Sequence, residues 1–351
     1  MNWKRIGQAV SFRNIGAIYV WVLIIIIFSA ISPHNFMTAT SVSQVVNSNS
    51  IAALAALAIL LPLVTGIYDV SIGGNISLSS VTCGFLLINT SLPTGVVVLI
   101  TLCVGIAIGL VNTVVCVTLR IPSLIGTLAV SGIADALSVA LSGNQTISNP
   151  RVAGSFGTQF SAASWGGFTI PVLFVLFLVV VLDLVLKQTA TGRYGYAVGF
   201  DENVARLAGV RSAATQTGAL VVSGVIGSFT GVVLTAHVAS ATPGSGDAFL
   251  LPAFAAVFLG ATQFKAKRFN AAGTAIAVFM LGTGQYGLII AGAPTWTPNV
   301  FQGVALIAAI GLTQLGSSPS RRRLRRGVAL TRSSAPPDAT PEAPAEAGVA
   351  S

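Results

Sequence analysis

Three long stretches of the sequence contain no Asp, Glu, Lys or Arg. They lie between Arg13 and Asp69, between Asp69 and Arg120, and between Arg268 and Arg321, and each holds 50 or more residues. A helix that crosses a membrane needs roughly 20 predominantly apolar residues, because the hydrocarbon core is about 30 Å thick. Each stretch therefore has room for two crossings joined by a short loop.

The composition extends this pattern to the rest of the chain. Only 8% of the 351 residues are charged and the mean hydropathy is +0.86, whereas an average soluble domain is about 25% charged. Shorter uncharged stretches follow Arg120, Arg151, Arg211 and Asp247, and each fits one more crossing. Runs such as Ile24–Ile27 lack the alternation of barrel strands. The sequence therefore predicts an all-α polytopic membrane protein with ten transmembrane helices, at 15–32, 44–65, 72–89, 94–117, 123–141, 169–186, 212–238, 249–264, 270–291 and 298–315.

The basic residues predict how these ten helices are oriented. With both termini in the cytoplasm, the inner segments hold every Lys and Arg except Arg151, as expected from the inside-positive bias of membrane proteins. The segment 249–264 is short, but a crossing there keeps Lys265, Lys267 and Arg268 inside. The net charge of +9 is interpreted as anchors facing anionic lipid, and no nucleic-acid partner is expected.

Three regions are predicted along the chain. Residues 1–14 form a short basic cytoplasmic arm, and residues 15–315 form one transmembrane domain. Residues 316–351 begin with an arginine-rich run and continue as a Pro/Ala/Ser/Glu segment, which is too polar to build a core. This last region is expected to be a disordered cytoplasmic tail.

The sequence lacks the motifs of several kinds of enzyme. No G-x-x-x-x-G-K-[ST] motif occurs, so no phosphate-binding loop and no ATPase activity are expected. The two histidines, His34 and His237, are far apart, which disfavours a metal site. Cys83, Cys103 and Cys116 lie inside predicted helices and are interpreted as small buried residues. We therefore expect no enzyme activity, no cofactor and no metal.

Uncharged polar residues lie inside several predicted helices. Amides and hydroxyls without fixed charge suit a pathway for a neutral, hydroxyl-rich solute, but they also form hydrogen bonds between helices. Both interpretations stay open. The candidate pathway residues are Asn47, Asn49, Asn75, Asn112, Asp135 and Gln285. Because an ion-coupled carrier needs ionisable groups within the membrane, a secondary, proton-coupled carrier using Asp135 is the alternative function.

The segment Thr191–Val210 reads T-G-R-Y-G-Y-A-V-G-F-D-E-N-V-A-R-L-A-G-V and is expected to be an inner loop that encloses one short helix. Asp201 suits the N-cap, Glu202 suits the first turn, and Gly209 can end the helix. A helix of two turns is too short to be stable alone. It therefore needs a partner surface, on its own membrane domain or on another protein.

This segment resembles the coupling region of ribose-type ABC transporter permeases, in the branched-chain amino acid/sugar permease superfamily. The family pattern G-R-x-x-Y-A-x-G…A-A-R-x-x-G-[IV] is matched by Gly192, Arg193, Tyr196, Ala197, Gly199, Ala205, Arg206, Gly209 and Val210. Further blocks agree in order at Ser32–Phe36 with Gln44, Gly66–Gly73, Asn112 with Arg120–Leu128, and Leu259–Thr262. The chain departs from the pattern where Tyr68 adds a residue, where Asp201 replaces an Asn, and where Lys265–Phe269 replaces a glycine-rich turn.

The resemblance implies the permease subunit of an ABC importer that moves a sugar or sugar-like polyol across the bacterial plasma (inner) membrane. It implies two ATP-binding cassette subunits, a second permease copy, and a periplasmic or lipoprotein solute-binding protein as partners. The coupling residues it implies are Gly192, Arg193, Tyr196, Asp201, Glu202, Arg206 and Gly209.

Overall fold

The computed structural model describes residues 12–148, 152, 164–165, 168–262 and 268–315. These residues form twelve α-helices: α1 (Phe12–Ile31), α2 (Ala39–Val64), α3 (Ile72–Asn89), α4 (Thr94–Thr113), α5 (Ser123–Ser142), α6 (Ile170–Gln188), α7 (Ala190–Phe200), α8 (Glu202–Leu207), α9 (Ser212–Val238), α10 (Leu250–Ala261), α11 (Ala271–Ile290) and α12 (Thr297–Leu315). A π-helical turn, Val114–Thr118, extends α4, and a 3₁₀ turn, Asp247–Phe249, precedes α10. Two short antiparallel strands, β1 (Ser164–Trp165) and β2 (Phe168–Thr169), precede α6.

The predicted tail and most of the predicted arm lie outside the described residues. The tail at 316–351, and residues 1–11 of the predicted arm, lie outside the described residues. Residues 12–14 already belong to α1. The chain divides into one unit that ends at Thr313 and a second from Gln314 to Ser351.

Seven helices of the described residues are long and apolar enough to cross a membrane: α2, α3, α4 with its π-helical turn, α5, α6, α9 and α11. Shorter apolar helical segments lie at Ile18–Ile31, Asp247–Ala261 and Thr297–Gly311. An apolar helix therefore occupies each of the ten predicted positions, and the prediction of an all-α polytopic membrane protein is confirmed.

The spanning helices form an inner group and an outer group. Most residues of α2, α3, α9 and α11 are buried, and Ala53–Leu60 of α2 are inaccessible on every side, as expected for a helix that is apolar all round. By contrast, α4, α5 and α6 expose rows of large apolar side chains, such as Leu99 and Leu110. Cys103 lies on this outer surface of α4 and is exposed, so the prediction of buried cysteines is wrong there; Cys83 on α3 is buried.

The two halves of the chain meet through α2 and α9. Helix α9 packs on α3 and α4, and α2 packs on α10 and α11. Helices α2 and α9 also contact each other. Small residues permit a very close approach between α4 and α9. A Cβ atom on Gly224 would lie 2.2 Å from the carbonyl oxygen of Gly105, so the two backbones are in direct contact, as small residues allow in membrane helices.

After α9 the chain turns back along α3 before the next helix begins. Ala241 packs at Gly84, the Gly246 amide donates to Ser77 Oγ at 3.0 Å, and Asp247 lies against Gly73. Since α3 rises 1.5 Å per residue, this return covers about 16 Å. Helix α10 therefore begins part of the way along α3, beside Gly73.

This return corrects the full-length crossing predicted for 249–264. Helix α10 has 12 residues and is only about 18 Å long at 1.5 Å per residue, too short to cross the membrane alone. Non-helical backbone at such a depth is tolerated where it packs on protein or lines a water-filled cavity. Gly246 is buried and its amide is bonded to Ser77, whereas Asp247 and Ala248 are exposed. The apolar run showed the length of the segment but not the depth at which its helix begins.

Candidate functional site

The segment with the family pattern is more helical than expected. Instead of one short helix in a loop, α7 and α8 together occupy almost the whole of Ala190–Leu207, which we call the α7–α8 element. The Thr189 hydroxyl caps α7 by accepting a hydrogen bond from the Gly192 amide at 3.2 Å. The three glycines of α7 disfavour a helix in isolation, and for that reason the sequence did not predict α7.

The same three glycines fix where α7 lies. Gly192, Gly195 and Gly199 follow one another at intervals of three and four residues and share one helix face. A Cβ atom on Gly192 would lie 2.4 Å from the carbonyl oxygen of Val185, and one on Gly199 would lie 2.1 Å from that of Val64. The backbone of α7 is thus packed directly against the ends of α6 and α2. Glycine is required here for close approach.

Helix α8 has the local structure that the sequence predicts. The Asp201 carboxylate accepts hydrogen bonds from the amides of Asn203 at 2.9 Å and Val204 at 3.0 Å, as an N-cap does. Glu202 stands in the first turn, where the helix dipole favours an acid. Gly209 has φ +84° just after the helix. These capping roles are confirmed, while contact between these residues and an ATPase stays a prediction.

The α7–α8 element presents apolar side chains to solvent. Phe200 is 93% exposed, Leu207 is 88% exposed and Val204 is 61% exposed; we call these three the apolar docking surface. Ala205 is the buried residue of α8. A six-residue helix that exposes its large apolar residues lacks the packing that normally stabilises so short a helix. Phe200 was not singled out from the sequence, although an aromatic residue beside a helix cap was the available signal.

Exposed charged side chains occur in the same segment as the apolar docking surface. Arg193, Glu202, Arg206 and Arg211 are all exposed. Arg193 donates to the carbonyl oxygen of Gln188 and Arg206 to Asn203 Oδ1, both at 3.3 Å. In the described part of the chain, the one ion pair joins Lys187 and Asp183. The four exposed charges are therefore available to a partner.

Tyr196 connects α7 to the start of α11. Its hydroxyl donates a hydrogen bond to the carbonyl oxygen of Phe269, and the guanidinium carbon of Arg268 lies 5.5 Å from the centre of its ring. Burial raises the pKa of the Tyr196 phenol above its usual value, although the charge of Arg268 acts in the opposite direction. The hydroxyl therefore keeps its proton at neutral pH and remains a donor.

A buried carboxylate lies in the α2–α3 turn, where the sequence indicated only an inner loop residue. Asp69 is 1% exposed. Its Oδ1 accepts from the Ser71 hydroxyl at 2.6 Å and the Ser71 amide at 3.1 Å, and its Oδ2 accepts from the Ser223 hydroxyl of α9 at 2.7 Å. Asn112 of α4 joins the group through a 2.6 Å bond from its Nδ2 to Ser71 Oγ. The position of Asp69 inside the Gly66–Gly73 block was the signal that could have identified it.

Two of the candidate pathway residues are fully buried between helices. Asn75 Nδ2 donates to the carbonyl oxygen of Gly224 at 2.9 Å, which joins α3 to α9. Asn112 belongs to the Asp69 group. Both amides hold helices together, which favours the packing interpretation for them, and a role in a pathway stays a prediction.

Three other candidate pathway residues are half-buried around α2 and α11. Asn47 Oδ1 accepts from the amide and the hydroxyl of Thr169, at 3.1 and 3.0 Å. Asn49 packs on Gly282 of α11. One turn further along α11, Gln285 Nε2 is buried with no hydrogen-bond partner among the described residues. A role for these three amides in a solute pathway stays a prediction.

Asp135 lies on α5, away from those amides. Its side chain is half-buried and lies close to Ser77 and within electrostatic range of Asp247. Within the described residues its Oδ1 is buried without a hydrogen-bond partner. Asp135 thus faces another carboxylate of the return segment, which the sequence did not predict.

Comparison with known proteins places this architecture among transport permeases. Residues 41–310 match the family model described as the permease component of branched-chain amino acid transport systems. The fructose import permease protein FrcC of Rhizobium meliloti is 29% identical over 84% of this chain and 83% of its own length. The autoinducer 2 import system permease protein LsrD of Photorhabdus laumondii is 27% identical over 85% and 92%. The D-allose transport system permease protein AlsC of Escherichia coli is 26% identical over 89% and 95%. No solved structure matches the chain.

Proposed function

The chain belongs to the permease family of branched-chain amino acid transport systems, and on that premise we propose that it is the membrane subunit of an ATP-driven sugar importer. The observation that carries the proposal is the apolar docking surface, which stands exposed at the end of α7 and along the short helix α8. The chain has no phosphate-binding loop of its own, so ATP must be hydrolysed on another subunit.

The α7–α8 element has the features of a site that receives force from a partner. An exposed apolar group surrounded by charges is typical of a protein–protein contact. The glycine contacts of α7 with the ends of α2 and α6 give this element a stiff connection to the membrane domain. We place the ATP-binding subunits against Phe200, Val204 and Leu207 on the cytoplasmic side, with Arg193, Glu202 and Arg206 at the rim.

The proposed solute is a sugar or sugar-like polyol. Its support is the uncharged polar lining offered by Asn47, Asn49 and Gln285, since amides pair well with hydroxyls and impose no charge requirement. The three relatives named above are described as permeases for fructose, autoinducer 2 and D-allose. A second permease copy and a solute-binding protein complete the proposed importer.

The ATPase contact is tested by placing a charge on the apolar docking surface. Leu207→Glu should weaken binding of the permease to its cognate ATP-binding subunits at least about tenfold, because burying an unpaired carboxylate costs more than the 1.4 kcal/mol that a factor of ten represents. Gln188→Glu is the matched control, since it adds the same charge to an exposed position outside α8. Affinity is measured on the detergent-solubilised proteins. Equal affinity of the Leu207→Glu and wild-type permeases would exclude this surface as the docking site.

Transport assays separate the proposed importer from a carrier that uses Asp135. Proteoliposomes with the assembled complex are given radiolabelled D-fructose, D-allose and D-ribose, with either ATP or a proton gradient. Uptake that needs ATP and persists in an Asp135→Asn variant supports the importer. Uptake that follows the proton gradient without ATP, and is lost in Asp135→Asn, would establish the carrier instead.

A further inference from the structure

Helix α7 touches the membrane domain in two different ways. Toward α2 the contact is backbone on backbone, since Gly199 packs against Val64 and Gly66. Toward α11 it runs through one side chain, Tyr196, whose hydroxyl donates to the carbonyl oxygen of Phe269. Phe269 immediately precedes Asn270, which caps α11 by accepting from the Gly273 amide at 2.6 Å. Among the described residues, the Tyr196 hydroxyl and the contact of its ring with Arg268 join α7 to the start of α11.

Aromatic contacts continue from this bond into the membrane domain. The ring of Phe269 meets that of Phe258 on α10 edge-on, with 5.7 Å between centroids, and Phe258 stacks on Tyr68 of the α2–α3 turn at 6.4 Å. Such pairs are geometrically specific contacts. The Tyr196 hydroxyl is thus the point where α7 joins a packed group that includes α10, α11 and the α2–α3 turn.

The Tyr196 bond connects α7 to the hairpin formed by α10 and α11. Helix α10 begins beside α3 and has only 12 residues. Helix α11 bears Gln285, whose buried Nε2 has no hydrogen-bond partner in the described region. A displacement applied at Phe269 acts on the cytoplasmic ends of both helices. Without the Tyr196 bond, a displacement of α7 reaches the domain through the ends of α2 and α6 and through α9, which α7 also contacts.

We infer that Tyr196 is a positioning residue for transport, whose hydroxyl makes the α10–α11 hairpin follow α7 when the ATP-binding subunits move it. The inference rests on the proposed function. It assigns two connections of α7 to different parts of the domain: the Gly199 contact to the α2–α3 turn, and the Tyr196 hydroxyl to the hairpin. Loss of the hydroxyl should leave the response of the α2–α3 turn to nucleotide and weaken that of the α10–α11 hairpin.

Tyr196→Phe tests this, because it removes one oxygen atom and keeps the ring under Arg268. Tyr194→Phe is the matched control: the same change on the same helix, at an exposed position. Hydrogen–deuterium exchange is measured on the full complex of permease and ATP-binding subunits, without nucleotide and trapped with ATP and vanadate. The peptides that matter cover residues 65–71 and 268–275. Thermal unfolding without nucleotide checks that each variant folds.

In the wild type and Tyr194→Phe, the nucleotide should change exchange in both peptides. In Tyr196→Phe the change at 65–71 should persist, while that at 268–275 should fall to less than half. If Tyr196→Phe keeps both changes, or the wild type changes only at 65–71, the inference is wrong and the proposed function stands. If the wild type shows no nucleotide-dependent change in either peptide, the proposed function is wrong, and so is the inference that rests on it.

Discussion

The carboxylate of Asp69 connects three parts of the fold. It accepts hydrogen bonds from the α2–α3 turn itself and from α9, and through Ser71 it is linked to α4. Burial raises the pKa of Asp69 above its usual value, and the bonds from Ser71 and Ser223 only partly oppose this. Asp69 therefore stabilises the junction through the hydrogen bonds that it accepts from Ser71 and Ser223.

Two substitutions at Asp69 should have different effects. Asp69→Ala leaves the Ser71 and Ser223 hydroxyls without their acceptor, and each buried unpaired group costs about 1–3 kcal/mol. Asp69→Asn keeps an oxygen acceptor in place and should be milder. The free energy of unfolding, measured in detergent, ranks the variants. Equal stability of Asp69→Ala and the wild type would show that the buried group adds nothing.

The pH dependence of stability follows from the same raised pKa. Between the ordinary value of 3.8 and the higher folded-state pKa, the folded protein holds a proton that the unfolded chain has released. Stability therefore falls as the pH rises through this window and levels off above the folded-state pKa. Asp69→Asn should lack this component. Thermal unfolding of the wild type and Asp69→Asn, measured from pH 4 upward, gives the size of this component. Identical pH profiles of the two proteins would contradict the prediction.

At the scale of elements, the sequence predicted the features that depend only on neighbouring residues. The cap at Asp201, the stop at Gly209 and the position of each apolar helix follow from a few neighbouring residues. Helix α7 was missed, because its glycines are unfavourable until they pack on α2 and α6. The short length of α10 was missed as well. The hydropathy of an apolar run does not show how deep in the membrane its helix begins. The burial of Asp69 depends on donors from α4 and α9, which no local pattern contains.

The glycine contacts of α7 lead to a matched pair of substitutions. Gly199→Ala places a Cβ atom 2.1 Å from the Val64 carbonyl oxygen, so α7 must shift, at a cost of about 1–3 kcal/mol for overpacking. Gly218→Ala, in α9, meets no atom within 4 Å and should stabilise the helix by up to about 1 kcal/mol. Thermal unfolding distinguishes them. If both variants change stability in the same direction, the packing described for Gly199 is wrong.

At the scale of the whole molecule, the inside-positive bias predicts which ends of the helices face the cytoplasm. In a variant without the native cysteines, Gln188→Cys should react with a membrane-impermeant maleimide only after the cells are opened. Trp296→Cys, between α11 and α12, should react in intact cells. Both positions are exposed and lie outside the apolar docking surface, so access depends on the side of the membrane. The reverse pattern would invert the predicted topology.

The return of the chain along α3 also has a consequence for biogenesis. A helix of 12 residues is too short to leave the insertion machinery as an independent crossing. Its preceding segment needs the groove at Gly73 and Gly84, which exists only after α3 has been inserted and packed. The second half of this protein therefore cannot be completed in the membrane before the first half is in place, and synthesis from the N-terminus supplies the two in that order.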